Sequence, residues 1–180
     1  MLNLDNDGIE TVGKDASGAA FDVDDSGFLK NTGWIKGGDA FLTLDRDYNG
    51  ATNSGKEMFS NGVVDISRRG LAGMAWVDAN YDGKLTAADP VWNELKVWQD
   101  DGDGVDEAGE KLTLAALGIT ELNYSMGRFV QNGVVKELGS PDLTADTEGT
   151  RVDYLTRIGA NQNGTVAANE VLYFCERMAA

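Results

Sequence analysis

The sequence predicts an α+β domain in which short helices flank acidic loops and pack on a small antiparallel sheet. Two patterns lead to this fold class: acidic loops lie between segments with helically spaced apolar residues, and later segments alternate apolar and polar residues as strands do. The chain has 180 residues, 42% of them hydrophobic, which is enough for an ordinary core. We expect one domain over residues 1–138 and a linker with a helical extension over residues 139–180.

Net charge and missing residue types exclude several classes of function. The formal net charge is −15, so the surface repels phosphate backbones and we expect no nucleic-acid partner. The chain has no histidine and a single cysteine, which excludes Ser-His-Asp and Cys-His catalysis and any His-ligated metal site. The chain has no stretch of about 18 apolar residues, so we expect no membrane span. Oxygen atoms remain as metal ligands, and oxygen selects Ca²⁺ or Mg²⁺.

The clearest motif is the 78–89 loop, which follows the D-x-[DN]-x-[DN]-G spacing of an EF-hand. Gly83 at position 6 allows the sharp turn that wraps the loop around an ion. The expected Ca²⁺ ligands, with Lys84 contributing its backbone carbonyl, are Asp78, Asn80, Asp82, Lys84 and Asp89. This motif predicts an EF-hand-like calcium site.

Helices are predicted on both sides of the 78–89 loop. Leu71, Met74 and Ala75 have helical spacing before it, and Val91, Leu95 and Trp98 have the same spacing after it. Pro90 suits the first position of the second helix.

A second acidic loop, residues 99–110, follows directly. Gly104 and Glu110 keep the six-residue step from position 6 to position 12, but the start is one residue short. Either Gln99 or Asp100 therefore takes position 1. The expected ligands, with Val105 contributing its carbonyl, are Asp100, Asp101, Asp103, Val105 and Glu110.

Three less complete loops precede these two. In the 45–57 loop the closing acid is at position 13, and a one-residue bulge would bring it to the ion. The expected ligands are Asp45, Asp47, Asn49, Ala51 (carbonyl) and Glu57. The 22–28 loop has no acid at position 12, and its ligands are Asp22, Asp24, Ser26 and Phe28 (carbonyl). The 3–9 loop is similar, with Asn3, Asp5, Asp7 and Ile9 (carbonyl).

These last two half-loops are equally compatible with Asx-rich turns, or with sharing one ion between them. In all we expect about three to five Ca²⁺ ions.

The remaining elements are predicted coarsely. Short strands are expected at 19–23 and 41–44 and a longer strand at 119–124. Residues 128–136 predict a hairpin, because the Asn-Gly pair tolerates a type I′ turn. Residues 139–149 resemble a linker, and helices are expected at 151–158 and 169–178.

Calcium is expected to drive folding. Without a cation, neighbouring carboxylates repel by on the order of 1 kcal/mol per pair. Four sites with dissociation constants of ~10⁻⁴ M at ~1 mM calcium would contribute roughly 5–6 kcal/mol. That is comparable with the low end of domain stability, about 5 kcal/mol. We predict a chain that is loose in chelator and folds with calcium, after export from the cytosol.

Several phrases of the sequence occur together in a recognisable order. They are LDNDGIETV at 4–12, TGW at 32–34, FLTLDR at 41–46, LKVWQD at 95–100 and LAALGI at 114–119. Over residues 2–138 the chain resembles the self-processing module of iron-regulated RTX proteins, the FrpC type. The resemblance implies a protein of a Gram-negative bacterium that is secreted or at the cell surface after type I secretion.

The resemblance also implies an activity. In such modules calcium folds the chain, which then breaks an Asp-Pro bond just upstream of the first acidic loop, and a lysine acceptor can capture the product as an isopeptide. That bond is not within residues 1–180, so we expect no catalytic residue here. The internal Asp89–Pro90 bond joins a predicted ligand to a predicted helix start, so we expect it to stay intact.

An alternative without chemistry is a calcium-stabilised binding or spacer domain of an adhesin. The 78–89 loop is similar to a dockerin loop, which leaves a protein partner open.

Overall fold

The computed structural model describes residues 1–59, 70–140, 143 and 150–151, and the regular secondary structure of this part of the chain is mostly β. Its strands form four antiparallel sheets. The strands are β1 Leu2–Asn3, β2 Thr11–Val12, β3 Ala20–Phe21, β4 Phe28–Asn31, β5 Trp34–Ile35, β6 Asp39–Thr43, β7 Lys96–Trp98, β8 Lys111–Thr113, β9 Ile119–Asn123, β10 Arg128–Gln131, β11 Val134–Glu137 and β12 Thr150–Arg151. Three short 3-10 helices, Gly55–Glu57, Gly70–Trp76 and Pro90–Asn93, complete the elements of the described residues.

The predicted α+β class is therefore wrong. The helix expected before the 78–89 loop is only the 3-10 helix Gly70–Trp76, and the helix expected after it stops at Asn93. The segment then becomes strand β7, which pairs with β6 on one side and β8 on the other.

The physical reason for this error lies in β6. All five residues of β6 are buried, so its backbone groups need neighbouring strands as hydrogen-bond partners. Val97 pairs with Leu42 and Trp98 with Phe41, and this long-range pairing overrides the local helical spacing of the apolar residues.

The sheets are arranged in a simple order. One sheet has the order β1-β6-β7-β8, a second β11-β10-β9, a third β12-β4-β3, and the fourth is the pair β2-β5. The strands predicted near 19–23, 41–44 and 119–124 are confirmed as β3, β6 and β9.

The hairpin is also confirmed as β10–β11. Asn132 and Gly133 have φ angles of 48° and 78°, the two positive values that a type I′ turn requires.

The C-terminal predictions fall largely outside the described residues. Arg151 was expected to begin a helix but lies in β12, paired with Phe28. The rest of the helix expected at 151–158, the helix expected at 169–178 and most of the linker lie outside the described residues.

Strand β6 separates two hydrophobic clusters. Ala40 and Leu42 belong to a cluster with the β9–β10 sheet, whereas Phe41 points into an aromatic cluster. In that second cluster the ring centroids of Phe21, Trp34, Phe41 and Trp98 lie 4.7–5.9 Å apart. Four of the five acidic loops begin at the ends of β1, β3, β6 and β7, whereas the 78–89 loop follows the 3-10 helix Gly70–Trp76. Within the described part of the chain, no helix has the length and apolar character needed to cross a bilayer.

Candidate calcium-binding loops

All five acidic loops share one backbone turn. Counted from position 1, which is Gln99 in the 99–110 loop, each loop has positive φ at positions 4 and 6. The pairs are Asn6 and Gly8, Asp25 and Gly27, Tyr48 and Gly50, Tyr81 and Gly83, and Gly102 and Gly104. Positive φ is uncommon outside glycine. In the described residues, only Asn132 adopts it outside these loops among the non-glycine residues.

A carboxylate at the start of the loop organises this turn. The backbone N–H of Gly27 donates to Asp22 Oδ2 at 2.9 Å, and Gly50 and Gly83 donate in the same way to Asp45 and Asp78. In each case the glycine lies five residues after the aspartate.

The 99–110 loop repeats the arrangement in a shorter form. Gly104 donates to Asp100 Oδ2 at 3.0 Å, only four residues on. Asp100 rather than Gln99 therefore organises this turn.

The 45–57 loop brings three carboxylates together. Oxygen atoms of Asp45, Asp47 and Glu57 all lie within 4.8 Å of one another. The 3-10 helix Gly55–Glu57 turns the Glu57 side chain back over the loop, which is how an acid at position 13 reaches the other two. Asn49 donates its backbone N–H to Asp45 Oδ1 at 3.2 Å. Ala51 follows the turn and donates to the Asn49 side chain.

Glu57 is the most constrained acid in this group. It is completely buried, and its Oε2 accepts hydrogen bonds from the backbone N–H groups of Asn53 and Ser54. Its Oε1 is buried and accepts no hydrogen bond from the described residues. Burial raises the pKa of Glu57 to about 7. A buried carboxylate oxygen without a donor is rare, and the Glu57 carboxylate lies close to two others, so the group has the chemistry of a site for a hard cation.

The 99–110 loop contains two overlapping carboxylate groups that share Asp101. One joins Asp100, Asp101 and Asp103, and the other joins Asp101, Glu107 and Glu110. The backbone N–H of Val105 donates to Asp103.

Two core tryptophans anchor the ends of this loop. Trp34 Nε1 donates to Asp100 at 2.7 Å, and Trp98 Nε1 donates to Glu110 at 3.0 Å. Burial raises the pKa of Asp100. The aromatic cluster thus fixes the first and last acids of the loop.

The 78–89 loop is closed by its own backbone. Asp78 and Asp89 are both buried. Asp89 accepts hydrogen bonds from the backbone N–H groups of Ala79 and Thr86, which ties the end of the loop to its beginning.

The other predicted ligands of this loop lie on its exposed side. Asn80 Nδ2 donates to Asp82 at 3.1 Å, and the Lys84 side chain forms a salt bridge with Glu121. The oxygens of Asp78, Asp82 and Asp89 do not form one of the close groups found in the described residues.

Strand β9 supports the 78–89 loop from the side. Leu85 forms a two-way backbone bridge with Leu122, and Tyr124 donates its hydroxyl to Asp78 at 2.7 Å. Burial and this hydrogen bond raise the pKa of Tyr124 to about 12. Sequence spacing could not have identified Tyr124, because it follows β9 and lies 46 residues after Asp78 in the chain.

The 22–28 loop has the same turn, and two of its acids pair with Lys30 and with Lys56, which also pairs with Asp47 of the 45–57 loop at 3.4 Å. Asp24 pairs with Lys30, while Asp25 pairs with Lys56 at 3.3 Å, and Ser26 donates its hydroxyl to Asp24. Phe28 is the first residue of β4. The described part of the chain contains no group of three close carboxylates in this loop.

The 3–9 loop meets a residue that the sequence motif does not include. Asn3 lies opposite Asp39 in the β1–β6 pair, and its side chain accepts the backbone N–H of Asn6. Asp7 donates its N–H to Asp5, and a hydrogen bond between these two carboxyl groups raises the pKa of Asp7. Ile9 ends the loop.

Asp39 resembles Glu57 in its surroundings. Its Oδ2 accepts the backbone N–H of Glu10 at 2.6 Å, whereas its Oδ1 is buried without a hydrogen-bond partner in the described residues. Burial raises its pKa. Asp39 follows a Gly-Gly pair and lies 29 residues after Glu10, so no spacing rule could have included it in the 3–9 loop.

Comparison with known proteins agrees with the resemblance of the sequence phrases. A family model described as the SPM domain matches residues 1–157. The chain is also similar to the iron-regulated protein FrpA of Neisseria meningitidis serogroup C, with 36% identity over 161 residues. That alignment covers 83% of this chain and 14% of the relative, so the chain spans a small part of the relative's length. Because the family match covers most of the sequence, the chain belongs to the SPM domain family, as a self-processing module of the FrpC type.

Proposed function

We propose that this chain is a calcium-binding module of a secreted RTX-type protein and that calcium stabilises its fold. The main support is Glu57, a completely buried acid whose Oε1 has no hydrogen-bond partner in the described residues and whose carboxylate comes within 4.8 Å of oxygens of Asp45 and Asp47. Without a cation this arrangement combines a desolvation cost with like-charge repulsion. A divalent cation offsets both costs.

The donor set of the 45–57 loop suits Ca²⁺. Asp45, Asp47 and Glu57 supply carboxylate oxygens, Asn49 an amide oxygen and Ala51 a backbone carbonyl, and all of these are ligands that Ca²⁺ prefers. When bound, the ion supplies positive charge that neutralises the three carboxylates. The same reasoning extends to the 99–110 loop, where two carboxylate groups share Asp101.

Calcium binding at the loops would stabilise the core as well, because hydrogen bonds and a salt bridge join the loops to the core and to each other. Leu44 at the end of β6 donates its N–H to the Glu57 carbonyl at 2.8 Å. Lys111 of β8 forms a salt bridge with Asp106 and donates to the Gly50 carbonyl, so it connects the 45–57 and 99–110 loops. An ion that binds only the folded arrangement stabilises it by mass action.

We further propose that the module cleaves an Asp-Pro bond placed ahead of β1, as the family resemblance implies. The aspartate carboxylate attacks its own peptide carbonyl, the proline nitrogen leaves with a proton, and a cyclic anhydride remains. Water opens the anhydride to regenerate aspartate, or a lysine amine opens it to form an isopeptide bond. The proposed environment is the exterior of a Gram-negative bacterium, where calcium is abundant.

The position of β1 supports this proposal. Met1 is completely buried, and its amino group donates to the Gly139 carbonyl at 2.6 Å. Leu2 pairs with Ala40 of β6 and also bridges to Leu138. A segment fused ahead of Met1 would therefore begin at a point fixed from two sides, which is the positioning that an intramolecular attack requires.

Calcium binding is tested by counting ions. Native mass spectrometry of the whole chain with and without EDTA should show at least two Ca²⁺ ions retained at the 45–57 and 99–110 loops. Circular dichroism should show gain of structure as calcium is added. A melting temperature that does not change between calcium and EDTA would contradict the proposal.

Processing is tested with a fusion. A segment ending in Asp-Pro is placed ahead of Leu2, and the same segment ending in Asn-Pro is the matched control. Addition of calcium should split only the Asp-Pro fusion, and added lysine peptide should be captured through its ε-amine. If calcium binds but both fusions stay intact on a gel, the chain is instead the non-catalytic spacer or binding domain that its calcium loops would also allow.

A further inference from the structure

The 3–9 loop lacks a closing acid in its own sequence, but the fold supplies one from another strand. Each more complete acidic loop ends in a carboxylate that accepts backbone N–H groups of the same loop. Glu57 accepts from Asn53, Asp89 from Thr86, and Glu110 from Glu107. At the 3–9 loop the corresponding bond is made by Asp39, which accepts the N–H of Glu10.

Two independent features bring Asp39 and the loop together. Asn3 and Asp39 are directly opposite in the antiparallel pair of β1 and β6, so their side chains lie on the same face of the sheet. The Asp5 carboxylate lies against the backbone of Gly38, the residue before Asp39. A Cβ atom added at Gly38 would come within 2.2 Å of Asp5 Oδ2.

The unpaired oxygen of Asp39 points to a ligand. Asp39 is 3% exposed, and its Oδ1 has no hydrogen-bond partner in the described residues, although its Oδ2 does. Leaving a buried carboxylate oxygen unpaired is unfavourable, and the nearest polar groups of the loop, Asp5 and Asp7, are also acids. A cation would satisfy all three groups together, and binding it would bring their oxygens closer than in this structure, where they do not form one of the close groups of the described residues.

We propose that Asp39 closes an additional calcium site whose other ligands come from the 3–9 loop, so that the ion lies between β1 and β6. The inference rests on the proposed calcium-binding function and adds a specific site to it. The ligands are the side chains of Asn3, Asp5, Asp7 and Asp39 and the carbonyl of Ile9. All of these donors are oxygen atoms, as Ca²⁺ prefers.

This site differs from the other loops because its ligands come from distant parts of the chain. An ion bound there joins the first strand of the module to the completely buried strand β6. Calcium would therefore fix the position of β1 directly, rather than only through the stability of the rest of the fold.

The first test replaces Asp39 by asparagine, which keeps the shape and removes the charge. Native mass spectrometry of Asp39→Asn should show one ion fewer than the natural chain. Asn3→Ala combined with Asp39→Asn should lose that same single ion, not two. If Asp39→Asn retains the full number of ions, the site does not exist.

The melting temperature distinguishes a ligand from a structural residue. With saturating calcium, Asp39→Asn should melt below the natural chain. In EDTA it should melt at the same temperature or higher, because a buried charge without a partner has been removed. Equal destabilisation under both conditions would show that Asp39 has only a structural role and would overturn the proposal.

A second variant tests the site without changing any ligand. Gly38→Ala should displace the Asp5 carboxylate and weaken the same site by about tenfold or more, since ligand number sets the affinity. Gly13→Ala is the matched control, because a Cβ atom at Gly13 meets no atom within 4 Å. If Gly38→Ala binds calcium like Gly13→Ala, Asp5 is not a ligand as proposed.

The outcomes also separate this inference from the broader proposal. If the natural chain binds no calcium at all, the proposed function fails. If the natural chain binds calcium and both Asp39→Asn and Gly38→Ala keep every ion, only the site at Asp39 fails.

Discussion

The 22–28 and 45–57 loops have the same turn but different surroundings. Each begins with an aspartate that accepts the N–H of a glycine five residues later at 2.9 Å, and each has positive φ at positions 4 and 6. In the 45–57 loop the carboxylates meet a third, buried acid, Glu57. In the 22–28 loop they meet the ammonium group of Lys30 and that of Lys56, which also pairs with Asp47 of the 45–57 loop at 3.4 Å.

This difference shows that the sequence motif specifies the backbone conformation of the turn, whereas side chains outside the turn decide which charges lie next to its carboxylates. The hydrogen bonds within each turn involve only local residues, so they form wherever the D-x-D-x-x-G spacing occurs. The charge that balances the carboxylates comes from outside the turn. Among the described residues, Lys30 pairs only within the 22–28 loop and Lys56 lies between the two loops, whereas Glu57 adds a third acid to the 45–57 loop alone.

The two loops are also in direct contact, so one substitution can disturb both. A Cβ atom at Gly55 would lie 1.9 Å from the Val23 carbonyl oxygen. We expect Gly55→Ala to destabilise the calcium-loaded chain by about 3 kcal/mol, because the clash is with backbone that cannot move aside. Denaturant unfolding in calcium measures this loss. Gly13→Ala, where a Cβ meets open space, should change little, and equal stability of the two variants would contradict the close contact.

Removal of Glu57, the third acid, should remove the feature that distinguishes the 45–57 loop from the 22–28 loop. We expect Glu57→Gln to weaken calcium binding at the 45–57 loop by about 100-fold, since affinity follows the charge of the ligands. In EDTA the same variant should be at least as stable as the natural chain, because the repulsion with Asp45 and Asp47 is gone. Titration calorimetry and melting in EDTA test the two halves of this prediction. The exposed Glu94→Gln is the control and should change neither.

Proton binding at Glu57 gives the third prediction. The pKa of Glu57 in the folded chain is raised from 4.5 to about 7. In EDTA the folded state therefore holds a proton that the unfolded state has lost, and this stabilisation disappears as pH rises toward 7. We expect a loss of about 2 kcal/mol between pH 5 and pH 7 relative to Glu57→Gln.

The comparison with Glu57→Gln isolates this group from others that titrate. Burial lowers the pKa of the Met1 amino group from 8.0 to about 5, which makes stability rise with pH over part of the same range. That contribution is present in both chains and cancels. With saturating calcium, the contribution of Glu57 should make stability rise with pH instead of fall, because the ion binds the ionised form. A pH slope that is the same in EDTA and calcium would contradict a metal at Glu57.

The smallest effect is expected at the lysine of the 22–28 loop. Lys30→Met removes the ammonium group that pairs with Asp24 and should reduce stability in EDTA by about 1 kcal/mol or less, as for other partly exposed ion pairs. High calcium should restore part of this loss, because the loop then lacks its internal cation. Lys14→Met is the control, since Lys14 pairs with the exposed Asp15 far from a loop turn. Absence of any calcium-dependent difference would show that lysine does not replace an ion here.

Prediction from sequence was most successful where the determinants are local. The Asn132–Gly133 turn and strand β9 were predicted from adjacent residues and are confirmed. The helices around the 78–89 loop were wrong because β7 forms through pairing with β6, about 55 residues earlier in the chain. Asp39 and Tyr124 could not be assigned to any loop, since only the sheets bring them to the acidic turns.

The sequence alone determined the acidic turns, the oxygen-only chemistry and the family. These follow from short spacings of Asp, Asn and Gly, from the absence of histidine and from ordered phrases, and no long-range contact is needed to recognise them. The tertiary structure decided the β architecture and the charge partner of each turn. Glycine and aspartate shape a turn through bonds to their neighbours, but a buried acid or a lysine reaches the turn only when distant strands pair.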